Sequence, residues 1–199
     1  MGAERHSSVA FFDAQFRRQL AAGEFALNPF EKAALPFVSG RLLDLGCGLG
    51  NLSMEAARRG CQVTAVDASS AAVERIARAA REEGLPLAAR QADLLDYRIR
   101  GQFDTVIAIG LVMFFPCEEA RRLLGEIRSG VAPGGRAIVN ALIEGTTWLD
   151  PFEPGSYCLL REGELQQAFS GGQILLAWRD EFPAAGGTLK RFETVIAQL

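Results

Sequence analysis

A short glycine-rich segment carries the clearest chemical signal in the sequence. An apolar run that begins at Leu42 reaches Asp44 and then opens into three glycines, Gly46, Gly48 and Gly50. Glycines at such a turn let the backbone approach a ligand that a Cβ atom would exclude. A helix predicted to follow would direct its free N–H groups at the same place. The segment therefore predicts a site for a nucleoside or nucleotide.

The spacing of these glycines argues against a dinucleotide. The dinucleotide fingerprint has its third glycine or alanine three residues after the second, and that position is Asn51 in this chain. Asp44 also stands two residues before the first glycine, where a carboxylate would repel a pyrophosphate and attract an ammonium group. We therefore expect a ligand with an ammonium group and no phosphate.

Two further acids follow the next two predicted strands. Asp67 could accept hydrogen bonds from both hydroxyls of a ribose, or it could cap the next helix. Asp93 could accept from an adenine amino group, with the Leu94 N–H toward a ring nitrogen, or it could belong to a turn. Ligands of doubly wound sheets bind beyond the carboxyl ends of the strands, so these acids are predicted to share one site with the glycine loop.

The pattern Asp-x-Gly-x-Gly-x-Gly resembles motif I of the class I S-adenosylmethionine-dependent methyltransferases. Residues Phe103 to Ile107 are similar to that family's fourth strand, and Pro133 to Arg136 to the turn before its fifth. The resemblance implies an α/β fold, a doubly wound Rossmann-like sheet of seven strands in the order 3-2-1-4-5-7-6, with the last strand antiparallel, in three αβα layers. It also implies S-adenosyl-L-methionine as cofactor and S-adenosyl-L-homocysteine as product, with contacts from Asp44, Leu45, Gly46, Cys47, Gly48, Asp67, Ala68, Asp93, Leu94, Ile109 and Gly110.

Within that family, four segments resemble the tellurite-resistance branch. Members of this branch carry a histidine and arginines before the last strand, whereas residues Phe182 to Gly187 contain neither. Arg191 does match an arginine of the last strand, but tellurite or selenite lacks support as the substrate. The four segments are Phe11–Asp13, Leu111–Phe115, Leu160–Leu165 and Leu189–Thr194.

Strand-like and helical patterns alternate after the glycine loop, which is typical of βαβ units. Pro133 to Gly135 predicts a turn, and Arg136 to Ile143 a fifth strand. Two strand-like runs, Gln173 to Phe182 and Thr188 to Gln198, close the chain. These runs predict an antiparallel pair added to an otherwise parallel sheet.

The N-terminal residues form a unit of their own. Phe12, Phe16 and Leu20 share one face of a predicted helix. Residues 1–38 are therefore predicted to be a helical cap docked on the domain, or a lid over its ligand. Residues 39–199 are predicted to be the cofactor-binding methyltransferase domain.

The overall composition restricts the possible partners. The 199 residues carry a net charge of −3, which argues against a general nucleic-acid binder because such proteins present basic faces. No run approaches the roughly 18 apolar residues of a membrane span, and no signal-peptide pattern is present. We therefore expect a cytoplasmic protein, monomeric or weakly dimeric, that acts on a small molecule.

The cysteines and the single histidine argue against a metal site and against a Ser-His-Asp catalytic triad. Cys47, Cys61, Cys117 and Cys158 form no Cys-x-x-Cys pair, so we expect no zinc site and no disulfide framework. Most of them are predicted to be small core residues. His6 is the single histidine of the sequence, so no histidine-based metal site is predicted.

The predicted activity is methyl transfer to a small molecule, driven mainly by positioning. No catalytic residue is identified, so a soft thiol or chalcogen nucleophile fits, because it needs no general base. A cofactor-binding module without catalysis and an NAD-linked oxidoreductase are the alternatives, the latter disfavoured by the glycine spacing. Candidate substrate contacts, each with a core or surface role as the alternative, are Met113, Trp148, Tyr157, Arg161 and Arg191.

Overall fold

The computed structural model describes residues 7–199, with side chains from residue 11 onward; His6 lies outside the described residues. One seven-stranded sheet has the order β3-β2-β1-β4-β5-β7-β6, and β7 runs antiparallel to both of its neighbours. This order and these directions confirm the fold implied by the resemblance. The strands are β1 (Arg41–Leu45), β2 (Gln62–Asp67), β3 (Leu87–Gln91), β4 (Phe103–Ile109), β5 (Val131–Leu142), β6 (Gln173–Pro183) and β7 (Leu189–Gln198).

Local sequence signals account for both ends of the helix α4 (Ser70–Glu83). The Ser69 hydroxyl accepts from a backbone N–H at the start of α4, and Gly84 ends that helix with a φ of 65°. Within the described residues, no helix is both long and apolar enough to cross a membrane. The helices are α1 (Ser7–Ala22), α2 (Pro29–Ala34), α3 (Asn51–Arg58), α4 (Ser70–Glu83), α5 (Cys117–Gly130) and α6 (Glu164–Ala168).

Both faces of the sheet are buried, which explains why β4 is apolar almost throughout. Ile107 of β4 joins Ile76 of α4 on one face, whereas Val106 joins Ile127 of α5 on the other. All four side chains are fully buried. A strand covered on both faces needs a continuous apolar run rather than an alternating one. These two cores hold the carboxyl ends of β1, β2 and β4 in fixed positions at one edge of the sheet.

The predicted turn at Pro133 to Gly135 is wrong, because these residues belong to β5, which begins at Val131. Val131 pairs with Phe103 of β4, and a register shift in that pairing accommodates the extra residues. The Leu199 N–H also donates to the Gly135 carbonyl (3.0 Å). Pairing with distant parts of the chain therefore overrides the local turn signal.

The expectation that no disulfide is present is also wrong. Cys117 and Cys158 form a disulfide bond, with their Cα atoms 4.7 Å apart at a sequence separation of 41. The connection after β5 crosses the N-terminus of α5, where the Cys158 N–H donates to the Met113 carbonyl (3.1 Å). This crossing brings the two cysteines together, and residue spacing alone does not reveal it. Cys47 and Cys61 are free and buried, as expected.

Candidate functional site

A cavity of about 740 Å³ opens at the carboxyl ends of the parallel strands. The loops after β1, β2, β3 and β4, with α1 packed over them, form one side of its wall; α2 and residues near β6 and β7 form the other. Of the predicted cofactor contacts, Leu45 points away from the cavity into the core on the α5 face. The others all line the cavity, namely Asp44, Gly46, Cys47, Gly48, Asp67, Ala68, Asp93, Leu94, Ile109 and Gly110.

The glycine loop is held against β2 by its own backbone. The N–H groups of Gly46 and Cys47 both donate to the Val66 carbonyl (2.8 and 3.2 Å). Gly46 has a φ of 66°, and a Cβ atom added there would lie 2.8 Å from Cδ1 of Leu111. Position 46 therefore needs glycine for two reasons, the left-handed backbone and the lack of space.

Asp67 joins the glycine loop to the start of α4. Its Oδ2 accepts from the Gly48 N–H (2.8 Å) and its Oδ1 from the Ser69 N–H (2.9 Å). Burial raises the pKa of the Asp67 carboxyl, and the two backbone bonds partly offset this effect. Each oxygen keeps a second lone pair. The hydroxyls of a ligand could therefore donate to Asp67 without breaking either bond.

Asp44 is a buried acid, 4% exposed, with one free oxygen at the cavity wall. Its Oδ2 accepts from the Ser53 hydroxyl (2.6 Å), and its Oδ1 has no hydrogen-bond partner among the described residues. Burial raises the pKa of Asp44 to about 7; the Ser53 bond lowers it, and the charges of Glu31 and Asp67 raise it further. A cation bound beside Asp44 would reverse this shift by stabilising the carboxylate.

Asp93 belongs to a turn and to the cavity wall at the same time. Its Oδ1 accepts from the Leu95 N–H (3.0 Å), which is the Asx-turn arrangement. The residue is exposed and lines the cavity beside the buried Leu94. Its Oδ2 has no partner among the described residues, so the turn role and a ligand contact are compatible in one side chain.

Helix α1 covers the glycine loop. The Phe16 ring lies so close that a Cβ atom at Gly48 would be 3.2 Å from its Cζ atom. Asp13 accepts from the hydroxyl that caps α4. Phe12 meets Phe114 edge to face, with ring centroids 5.0 Å apart. Helix α1 is thus tied both to the loop after β1 and to the segment after β4.

The other side of the wall is aromatic. Phe30 of α2 contacts Phe182 of β6 and Phe192 of β7, with ring centroids 5.7 and 4.9 Å apart. Trp148 lies in the connection after β5, and the Nζ atom of Lys190 is 3.7 Å from the centre of its ring. All five side chains line the cavity. This side can therefore hold a flat apolar group close to a positive charge.

The side chains predicted to contact the substrate do not all lie together. Met113 and Trp148 line the cavity. Tyr157 lies outside the lining, where it packs against another aromatic ring. Arg161 is largely exposed and pairs with a glutamate one helical turn away. Arg191 also lies outside the lining, although it neighbours a residue within it.

Sequence reasoning missed two charged residues of the wall, Lys190 and Glu31. Side chains alternate between the two faces of β7, so Lys190 and Phe192 point into the cavity. Arg191 points away from it and pairs with Glu181 (Nε to Oε1, 2.7 Å). Counting back along β7 from its buried end could have identified the lysine. No local signal shows that Glu31, on a helix before β1, reaches the same cavity.

Part of the chain is similar to known methyltransferases. Residues 42–135 match the family model described as a methyltransferase domain. A ubiquinone biosynthesis O-methyltransferase from a Caulobacter species is 39% identical over 124 residues, which cover 60% of this chain and 48% of that protein. The chain spans about half the length of the curated relatives it matches.

Solved structures share the architecture. TehB from Haemophilus influenzae has a TM-score of 0.74 and 19% identity, covering 87% of this chain and 62% of TehB. The N-methyltransferase NodS from Bradyrhizobium japonicum, solved with S-adenosyl-L-homocysteine, has a TM-score of 0.66 and 14% identity, covering 94% of this chain and 97% of NodS. At these identities the likeness concerns the fold.

Proposed function

We propose that the chain is a class I S-adenosylmethionine-dependent methyltransferase and transfers a methyl group from S-adenosylmethionine to a small molecule. The observation that carries this proposal is the hydrogen bond from the Gly48 N–H to Asp67 (2.8 Å). A phosphate-binding loop presents its N–H groups to the ligand, whereas this N–H is directed at a carboxylate. The loop therefore suits a cofactor that has an amino-acid end and no phosphate.

The residues of the cavity fit this cofactor. Asp67 would accept from the ribose hydroxyls through its remaining lone pairs. Asp44 would accept from the ammonium group through the oxygen that has no partner. Asp93 would use its free oxygen for the adenine amino group. Three acceptors in one cavity thus match three groups of donors on the cofactor.

Catalysis is proposed to rest mainly on positioning. When bound, the cofactor supplies a methyl group on a positively charged sulfur, which a nucleophile can displace in line. Met113 is buried beside Gly110 in the wall and is apolar, so it keeps water from that part of the cavity. A thiol or chalcogen acceptor needs no general base, because its anion is a strong nucleophile near neutral pH.

Calorimetric titration with S-adenosylmethionine, S-adenosylhomocysteine and NAD tests the cofactor. We expect the first two to bind and NAD not to bind. The spacing of the glycines and the occupied Gly48 N–H are the physical reasons. Binding of NAD without binding of S-adenosylmethionine would favour the oxidoreductase and contradict the proposal.

Turnover with methyl-labelled cofactor separates an enzyme from a binding module. The acceptor panel would contain thiols, chalcogen oxyanions, phenols and amines. We expect label to move to one chemical class in the panel. Tight binding of S-adenosylhomocysteine together with no transfer to any acceptor would favour the module without catalysis.

A further inference from the structure

Lys190 is the one cation in the cavity wall among the residues that the structure describes. Its Nζ atom lies over the Trp148 ring, and no ion pair within 4 Å joins it to a described residue. Burial lowers the pKa of Lys190, and the charge of Asp150 partly offsets the effect. A half-buried ammonium group that has three donors and no carboxylate of a described residue within ion-pair distance can bind an anion.

Arg191, the residue after Lys190, does not add a second positive charge to the cavity. Arg191 donates to Glu181 (2.7 Å) and to the Glu144 carbonyl (3.0 Å) outside the cavity lining. Of the 21 basic residues in the chain, Lys32 and Lys190 are the two lysines. Lys32 is exposed and does not line the cavity. Among the described residues, Lys190 is therefore the single positive charge that a ligand in the cavity would meet.

The cavity is acidic on one side and basic on the other. Glu31, Asp44 and Asp67 lie near the glycine loop, and burial raises the pKa of each carboxyl. In the sheet order, β7 is three strands away from β1, which is about 14 Å at the usual spacing of strands. An anionic group is therefore attracted toward Lys190 and repelled from the glycine loop.

The wall next to Lys190 is made of flat side chains. Trp148, Phe182, Phe192 and Phe30 all line this part of the cavity. Aromatic side chains bind another ring through offset-stacked or edge-to-face contacts. A planar ring between them would bury apolar surface on both of its faces, which favours binding.

We propose that the methyl acceptor is a planar aromatic molecule whose anionic group pairs with Lys190. This inference rests on the proposed function and adds the class of substrate to it. Pairing at Lys190 places the ring among the aromatic side chains and directs the opposite end of the molecule toward Met113 and Gly110, at the end of β4. Lys190 is thus a specificity-determining residue that selects the acceptor and sets its direction.

Three pairs of compounds test the charge requirement. They are 4-mercaptobenzoate, 4-hydroxybenzoate and 4-aminobenzoate, each compared with its methyl ester, in calorimetric titrations of the protein saturated with S-adenosylhomocysteine. We expect at least one acid to bind about tenfold more tightly than its ester, the scale of one charge-assisted hydrogen bond. The acid that binds most tightly is then used in the labelled-methyl assay, where the atom that receives the label is the accepting atom.

Variants of the two lysines assign the preference to one residue. Lys190→Met should remove the preference for the acid, Lys190→Arg should retain much of it, and Lys32→Met should leave it unchanged. Equal affinity for acids and esters, or an unaltered preference in Lys190→Met, overturns the inference. Failure of S-adenosylhomocysteine to bind would overturn the proposed function itself, whereas failure of all the acids with the cofactor product bound overturns the substrate class alone.

Discussion

The two sides of the cavity are built by different parts of the polypeptide. On the acidic side, backbone N–H groups of Gly48 and Ser69 hold Asp67, and the paired strands β1 and β2 hold the loop. On the basic side, rings from α2, β6 and β7 and the connection after β5 pack against one another around Lys190. One side is set by main-chain hydrogen bonds and the other by side-chain packing.

This difference suggests that one side of the cavity binds the cofactor and the other side binds the acceptor. A loop fixed by main-chain bonds keeps its geometry when most side chains change, and it is vulnerable at its glycines. A wall of side chains changes its shape and charge with each substitution. We infer that the acidic side keeps one cofactor while the basic side determines the acceptor. Substitutions on the two sides should therefore affect different ligands.

The largest effect is expected from Gly46→Ala. A methyl group there meets Leu111 and forces an L-residue into the left-handed region, which together cost roughly 2–5 kcal/mol. Gly60→Ala is the matched control, because its φ is 92° but nothing lies within 4 Å of the added Cβ. Both variants should lower the free energy of unfolding, measured with urea. Only Gly46→Ala should also weaken S-adenosylhomocysteine binding; equal effects of both variants on that binding would contradict this account of the loop.

Asp67→Ala should weaken binding of the cofactor and leave binding of the acceptor unchanged. Loss of a buried acceptor should weaken binding of S-adenosylmethionine by roughly 1–3 kcal/mol. Adenosine and 2′,3′-dideoxyadenosine supply the readout, since only a direct contact with the ribose hydroxyls distinguishes them. The wild-type protein should prefer adenosine and the variant should not. A preference that survives in Asp67→Ala would show that the carboxylate only holds the loop.

Asp44 should make cofactor binding dependent on pH. Its pKa is about 7 in the folded protein and about 3.9 in an unfolded chain. The folded carboxyl keeps its proton between these values, so its contribution to stability falls as pH rises from about 4 to 7. Binding of the ammonium group requires the carboxylate, so the cofactor should bind about tenfold more weakly at pH 6 than at pH 8. At pH 6, binding of the cofactor should also release the proton of Asp44.

Calorimetry at pH 6 in two buffers with different ionisation enthalpies measures that proton. Asp44→Asn is the control, because it keeps the size of the side chain and an acceptor for the Ser53 hydroxyl. The variant should release no proton and should show no change of affinity between pH 6 and 8. Proton release that persists in Asp44→Asn would assign the titration to another group.

The three aspartates of the cavity could be predicted from the sequence because their signals are local, whereas Glu31 could not. Asp44 and Asp67 lie at the ends of β1 and β2, and Asp93 follows β3. Periodicity identifies these strands, and parallel strands bring their carboxyl ends to one edge of the sheet. The order of the strands followed from the resemblance and was confirmed. The turn at Pro133 was wrong because distant strand pairing decided the local structure.

The basic side could not be predicted in the same way. The sequence predicts Arg191 as a substrate contact, whereas Lys190 lines the cavity; this shift of one residue changes the face of the strand. Trp148 was identified, but its contact with Lys190 depends on how the connection after β5 folds back over the sheet. The disulfide between Cys117 and Cys158 fixes that connection, and it joins residues far apart in sequence.

The smallest effect is expected from Phe16→Ala in α1, the helix that covers the glycine loop on the acidic side of the cavity. Phe16 covers Gly48, and Phe12 of the same helix meets Phe114; we propose that residues 1–38 act as a lid. Removing the ring should speed release of S-adenosylhomocysteine several-fold, since a partly buried phenyl ring contributes about 1–2 kcal/mol, and should leave the rate of its association nearly unchanged. Stopped-flow measurement separates the two rates. Phe25→Ala is the control, because that ring is exposed and does not line the cavity. A slower association with unchanged release would show that α1 shapes the cofactor site without closing over it.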